Sequence, residues 1–473
     1  MLRLIFGQML ITWSLVSYAG DIRTPLREVM ASFSAETCVR DSARIKSAFE
    51  GLTQEDYLRE FKIESYADLA NELWDLKIKL HQTMRLLYSN SQFTQDCARA
   101  MRGAYHSIRQ VEDMVEESYL RNRSDIAFPA SAFIKGNPHV HKGPEFKAIN
   151  LSNELKSGDV ILSRGNAFTS AAIASLGEFD TQFSHVSLVY KDKNEKFWTI
   201  ESHIEIGSIV RPLESHIKDN NFRTMILRFD DAEIAAKAAE YAFQKVKKAS
   251  ETIGNINYDF GFDMDESKNL FCSEVVSWSF EKASEGVIKI PLVRNRIQLR
   301  KPTFVQSLGI TAEESFIPAD LEIDPRFKII AEWRDANRIN DSHEKDAILQ
   351  AMYSWVDDYG YRMINGSSGK SKFYRNIVWV MRRTPILKTY VDDKLPLNMS
   401  RELIGYFGVL ESIGELLHKE LKAANSSAIK QKNLPLLPQE KFEILENYRL
   451  KDEQKFRGKL HRMFRPLNLK DQI

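Results

Sequence analysis

Between Asp159 and Phe229 five short runs rich in aliphatic, β-branched and aromatic residues follow one another: Asp159–Arg164, His185–Tyr190, Phe197–Ser202, Ser208–Leu213 and Thr224–Phe229. Turn residues separate them, and this spacing constrains the fold more than any other feature. Parallel neighbours need a crossover of about a dozen residues, so strands this close are expected to pair antiparallel. Asp230 and Glu233 then read as a capping box before an alanine-rich helix that runs to about Lys248. A second helix is expected from Cys272 to about Ala283. The region 145–335 is therefore an α+β unit with an antiparallel sheet.

Helical patterns flank that unit. Leu69, Leu73, Leu76, Leu80, Met84 and Leu87 form one apolar stripe, and Leu403, Tyr406, Phe407, Leu410, Ile413, Leu417 and Leu421 form another. Between the first stripe and the α+β unit, Pro129, Gly136 and Pro138 mark a linker within 122–138. The chain divides into 1–19, a helical region over 20–140, the α+β unit over 145–335 and a helical region over 338–473.

The segment 1–19 reads as a secretory leader. Arg3 is the only charge before Asp21, an apolar run reaches Val16, and Ser17-Tyr18-Ala19 offers small residues for cleavage after Ala19. No later stretch has 18 consecutive apolar residues, so an exported protein, periplasmic or secreted, is expected. Export gives the 3 cysteines meaning: Cys38 and Cys97 can pair, which leaves Cys272 as a free thiol. With 66 Lys+Arg against 65 Asp+Glu the net charge is +1, which does not favour nucleic acid as a partner. The 43% hydrophobic content excludes a disordered chain. The total hides a basic segment, Lys455–Lys470, open to weak contact with an anionic surface but read first as a solvated, frayed terminus.

Two sequence patterns are discounted. Gly366-Ser367-Ser368-Gly369-Lys370-Ser371 ends like a phosphate loop, but Ile364 stands where that loop needs glycine. His139-Val140-His141 lacks a third metal ligand at recognisable spacing and is read as a linker pair. No metal and no organic cofactor are expected.

The chemistry-bearing residues lie in the α+β unit. Cys272 opens a helix, where unpaired N–H groups and the helix dipole should lower a thiol pKa and speed alkylation by iodoacetamide. His185 opens a strand and can act as the base. On the next strand Thr199, Glu201 and His203 share a face, so a hairpin turning near Asp192-Lys193-Asn194 would bring Glu201 to His185 as its orienting carboxylate. His203, two residues further on, competes for that role.

The ordered set Lys156-Ser157-Gly158-Asp159, Ser184-His185-Val186, Glu201-Ser202, Tyr258-Asp259, Phe271-Cys272-Ser273-Glu274 and Ile317-Pro318-Ala319-Asp320-Leu321 resembles the YiiX/YaeF-like family. Those proteins are permuted papain-like cysteine hydrolases, related to NlpC-type cell-wall peptidases and to lecithin:retinol acyltransferase. In the permuted branch His precedes Cys, as His185 precedes Cys272 here. The resemblance covers roughly 150–335. It implies Cys272 as nucleophile, His185 as base and Glu201 as orienting residue. It also implies Tyr258, Asp159 and Ser184 on the substrate side, with Asp159 a turn residue near the site. The expected substrate is an amide or ester, a cell-wall peptide first and a lipid acyl group second. A non-enzymatic interaction protein built on a papain-like domain is the alternative.

Overall fold

The computed structural model describes residues 33–60, 66–121, 140–147, 151–219, 221–252, 254–264, 268–297, 305–306, 310, 312–364, 398–455 and 458–466. The expected leader at 1–19, the expected linker at 122–138, His139 and the Gly366–Ser371 stretch lie outside them. Strands β1 (Val140–Lys142), β2 (Val160–Gly165), β3 (His185–Lys191), β4 (Phe197–His203), β5 (Gly207–Pro212), β6 (Asn221–Phe229) and β7 (Phe327–Arg334) form a 7-stranded sheet in the order β1-β7-β6-β2-β3-β4-β5. The strand pairs are antiparallel throughout. The five sequence-read strands are present, Leu213 instead starting a short helix after β5.

Helices α1 (Cys38–Glu50), α2 (Tyr66–Ser89) and α3 (Gln95–Arg121) precede the sheet. Within it come α4 (Ala232–Thr252) and α5 (Cys272–Ala283), and after it α6 (Ala336–Tyr359), α7 (Arg401–Lys432) and α8 (Pro438–Glu453). The cap of α4 is Asp231, not Asp230: Asp231 Oδ1 accepts from the Glu233 and Ile234 N–H groups at 3.1 and 3.0 Å, while Asp230 binds Arg85. Gly158 makes the turn into β2 with φ +89°, and any Cβ there would lie 2.4 Å from the Ala235 backbone, so only glycine lets α4 sit this close.

Both helical flanks dock on the sheet. Cys38 and Cys97 are joined with Cα atoms 5.5 Å apart, fastening α1 to α3. A buried charge belt ties α2 and α3 to the sheet. Lys77 Nζ lies 2.6 Å from Glu112 and 2.7 Å from Glu332, and Arg223 lies 2.5 Å from Glu332. Arg334 reaches Glu116 at 2.7 Å, Glu112 at 2.5 Å and Glu332 at 2.9 Å, and Arg223 also binds Asp113. His141 is not a linker residue; it lies in β1, stacks on Trp74 and binds Glu116 of this belt. On the other side, a Cβ at Gly414 would come within 2.8 Å of the Phe168 ring, so α7 packs closely on the α+β unit.

Two boundaries differ from the sequence reading. β1 lies at 140–142, outside the expected 145–335 unit, yet it belongs to the same sheet. The C-terminal region is not helical alone, because Tyr361–Met363 pairs antiparallel with Phe464–Pro466. The part of the basic segment described, 458–466, is therefore folded rather than frayed, and Lys459 and Arg462 are exposed on it. No helix among the described residues is long and apolar enough to cross a membrane.

Candidate active site

The site begins with the β3–β4 hairpin. Asp192 closes its turn by accepting from the Asn194 and Lys196 N–H groups at 2.9 and 3.0 Å. Leu188 pairs with Ile200, and the same register carried to the strand ends sets His185 beside His203, with ring centroids 4.7 Å apart. Glu201 lies on the diagonal, and its Oε2 is 2.9 Å from His185 Nε2. The expected His185–Glu201 contact is thus present. His203 is not excluded by it, since His203 Nε2 lies 3.3 Å from the same oxygen.

Glu201 has further partners that the sequence reading missed. Arg211 Nε and Thr199 Oγ1 hold Oε1, the latter at 3.1 Å, and His216 Nδ1 meets Oε2 at 3.0 Å. Arg211 also binds Asp219. A signal for Arg211 existed: it sits opposite Thr199 in the β4–β5 pairing, on the face that Glu201 uses. His216 comes from the short helix after β5, and nothing in the spacing pointed to it. Glu201 is fully buried, which by itself would raise its carboxyl pKa; the His216 imidazole first, and then those of His185 and His203 gathered around the carboxylate, hold it well below the usual range.

Cys272 is the first residue of α5, after an N-cap at Phe271 whose N–H donates to Glu274 Oε2 at 2.9 Å. Ser202 Oγ donates to the Leu270 carbonyl at 2.6 Å, which fastens the segment entering α5 to β4 beside Glu201. The Cys272 sulfur accepts a hydrogen bond from the Val186 N–H, so the thiol lies against the residue next to His185.

The electrostatics correct one expectation. Cys272 is 3% exposed, and burial pushes its thiol up to about 11 despite the helix terminus and the Val186 N–H. Burial likewise lowers His185 to about 4, against the pull of Glu201 and with the help of the neighbouring imidazoles. Thiol and imidazole are therefore both neutral at pH 7. Alkylation of Cys272 by iodoacetamide at pH 7 is expected to be at least about a hundredfold slower than that of an unfolded cysteine with pKa about 8.5, not faster. Mass spectrometry of a timed labelling reaction checks this; equal rates would contradict it.

The remaining sequence candidates fall into two groups. Tyr258 is buried near Cys272: burial, and then the neighbouring sulfur, raise its phenol well above the usual value. Its carbonyl accepts from Asn398 Nδ2 at 2.7 Å. Asp159 and Ser184 are occupied structurally. Asp159 binds Arg228 at 2.8 Å and the Lys156 N–H at 2.8 Å. Val160 pairs with Leu188 whereas Ser163 pairs with His185, so Asp159 is about 13 Å along β2 from the His185 end. Ser184 N–H donates to the Ser163 carbonyl at 3.0 Å, and its hydroxyl accepts from the Gly165 N–H at 3.3 Å. The bonds of Asp159 brace the turn into β2, and those of Ser184 shape the entry to β3.

An antiparallel sheet that carries His and Glu on one hairpin, and a Cys at the start of a later helix, defines a papain-like hydrolase domain in permuted order. Residues 154–331 match the family described as permuted papain-like amidase enzyme, YaeF/YiiX, C92 family. The crystal structure of metalloprotein yiiX from Escherichia coli O157:H7 is similar over 38% of this chain and 98% of its own, at 18% identity and a TM-score of 0.30. No curated protein matches the chain.

Proposed function

We propose that this protein is an exported cysteine amidase that cleaves its substrate through a thioacyl-enzyme. The observation that carries the reading is the arrangement of Cys272 at the α5 terminus, against Val186, with the adjacent His185 held through Nε2 by Glu201. Because Nε2 is committed to Glu201, Nδ1 is the nitrogen left to take the thiol proton. The sulfur then attacks the carbonyl carbon and the Cys272 N–H, at a helix start, stabilises the oxyanion. His185 returns the proton to the leaving amine, and water releases the acid by the reverse steps. A cell-wall peptide amide is the first substrate to assay, and the leader-like segment at 1–19 supports export. Turnover that survives Cys272→Ala would overturn the proposal. Neutral His185 is the working base, so kcat/KM should hold down to about pH 4 and fall below it as the imidazole is protonated.

One observation favours an apolar acyl group as the second substrate class. Met399, Leu403 and Ile404 form a cluster with Ile204, Phe260 and Phe407. Ile204 follows His203, and the Phe260 ring lies 5.2 Å from that of Tyr258. The C-terminal flank thus lays an apolar wall beside the reacting residues. Ile404→Ala should raise KM for a long-chain acyl substrate about tenfold and leave that for a small polar amide unchanged. An equal change for both substrates would remove this second reading.

A further inference from the structure

Three imidazoles and a guanidinium surround the Glu201 carboxylate, more than orienting one base requires. They divide it unequally. Arg211 and Thr199 take Oε1, and nitrogens of His185, His203 and His216 converge on Oε2 at 2.9, 3.3 and 3.0 Å. His203 Nε2 is buried and makes no aligned hydrogen bond among the described residues. The Nε2 atoms of His185 and His203 and an oxygen of Glu201 all lie within 4.8 Å of one another.

A second group of metal-ligand type, Asp341, Glu344 and His418, shows what a site closed to cations looks like. There the ammonium groups of Lys345 and Lys422 sit 2.6 and 3.3 Å from Asp341 and already supply the positive charge. At Glu201 the only such cation among the described residues is on the far oxygen, and it is shared with Asp219. Zinc bonds of about 2.0–2.1 Å in tetrahedral geometry set ligand atoms about 3.3 Å apart, within a few tenths of an ångström of the spacing around Oε2. Arg211 and Thr199 would then fix the carboxylate from behind, as outer partners do in metal centres. The rings of His185 and His203 are partly exposed, which gives an ion a way in.

We propose that Glu201 Oε2 and the Nε2 atoms of His185 and His203 form a site for a divalent transition metal of zinc type, and that its occupation switches the hydrolase off. The switching half rests on His185 being the base, as proposed above. A metal at His185 Nε2 displaces the proton from that nitrogen, and the neutral ring then carries it on Nδ1. With Nδ1 protonated, His185 has no lone pair left for the Cys272 proton. Metal and thiol chemistry compete for one imidazole.

The test uses the full chain and ZnCl2 alone, by calorimetry and equilibrium dialysis. Wild type and Cys272→Ala should each bind one ion with the same affinity, and His203→Gln should bind at least tenfold more weakly. Cobalt(II) on the wild type should give a tetrahedral spectrum without a thiolate charge-transfer band, a readout that does not depend on any variant folding. Loss of binding in Cys272→Ala, a thiolate band, or undiminished binding in His203→Gln would each overturn the site. If the protein hydrolyses no amide or ester, the binding results still decide the site, so the two proposals fail separately. If it is a hydrolase, turnover should fall in step with bound zinc and return on chelation; turnover at full occupancy would overturn the switch.

Discussion

Cys272→Ala is expected to lower kcat/KM by about four orders of magnitude or more while leaving the fold in place. Removing the nucleophile of a hydrolytic triad has effects of that size, because the remaining groups act only as a unit with it. The fold should survive because the side chain lost is small. Cys272 sits in the core as a buried residue, and trimming one heavy atom there costs about 1 kcal/mol. The α5 cap comes from Glu274 and is untouched. Cys272→Ser should be nearly as inactive, since a hydroxyl is harder to deprotonate than a thiol and a base titrating near 4 cannot activate it. Circular dichroism and thermal melting establish folding, and turnover of an amide substrate establishes the loss. Wild-type rates in either variant would leave Cys272 as a core residue only.

Glu332→Gln is expected to destabilise the protein by about 3–5 kcal/mol, the usual effect of breaking a buried ion pair from one side. Glu332 is fully buried and meets Lys77, Arg223 and Arg334, none of which reaches water. An amide of the same shape leaves three cations facing three remaining carboxylates, Glu112, Asp113 and Glu116, with the central contact gone. The pH dependence has a definite sign. Burial alone would raise the Glu332 pKa, but Arg334, Lys77 and Arg223 hold it well below 4.5. A depressed carboxylate contributes stability that is present above its unfolded value of 4.5 and is lost as pH falls through the folded value. Wild type should therefore lose stability progressively below about pH 4.5, and Glu332→Gln should lose less over the same range. Urea unfolding at a series of pH values measures both; parallel curves would show that Glu332 is not the linked group.

Local pattern made much of this legible in the sequence. The strands of the β3–β4 hairpin, the stripe of α2 and the face of α7 have periods that their own residues set. The His185–Glu201 contact followed from strand alternation and a recognisable turn. What the pattern could not carry was long-range or electrostatic. β7 arrives about a hundred residues after β6 and inserts between β6 and β1, a placement no local period encodes. The charge belt was invisible because Lys77, Glu112, Arg223 and Glu332 each look like ordinary surface residues until the helices are laid on the sheet. Thiol reactivity is hidden for a related reason: the helix terminus is readable in the sequence, but the burial that outweighs it depends on the whole core around Cys272.

The short strand β1 has a consequence for how the amidase segment can be handled. Val140, His141 and Lys142 pair with Trp333, Glu332 and Ala331 along β7. A fragment starting at residue 145 would keep every family motif and still open that side of the sheet. Ala331-Glu332-Trp333 and the Ile330 carbonyl, which accepts from the Gly143 N–H, would then lose their partners on that side and offer unsatisfied backbone donors and acceptors, the template on which chains add to one another. Such a fragment would fail by self-association before its chemistry could be assayed, and one that begins upstream of α2 and retains β1 is the smaller unit to express.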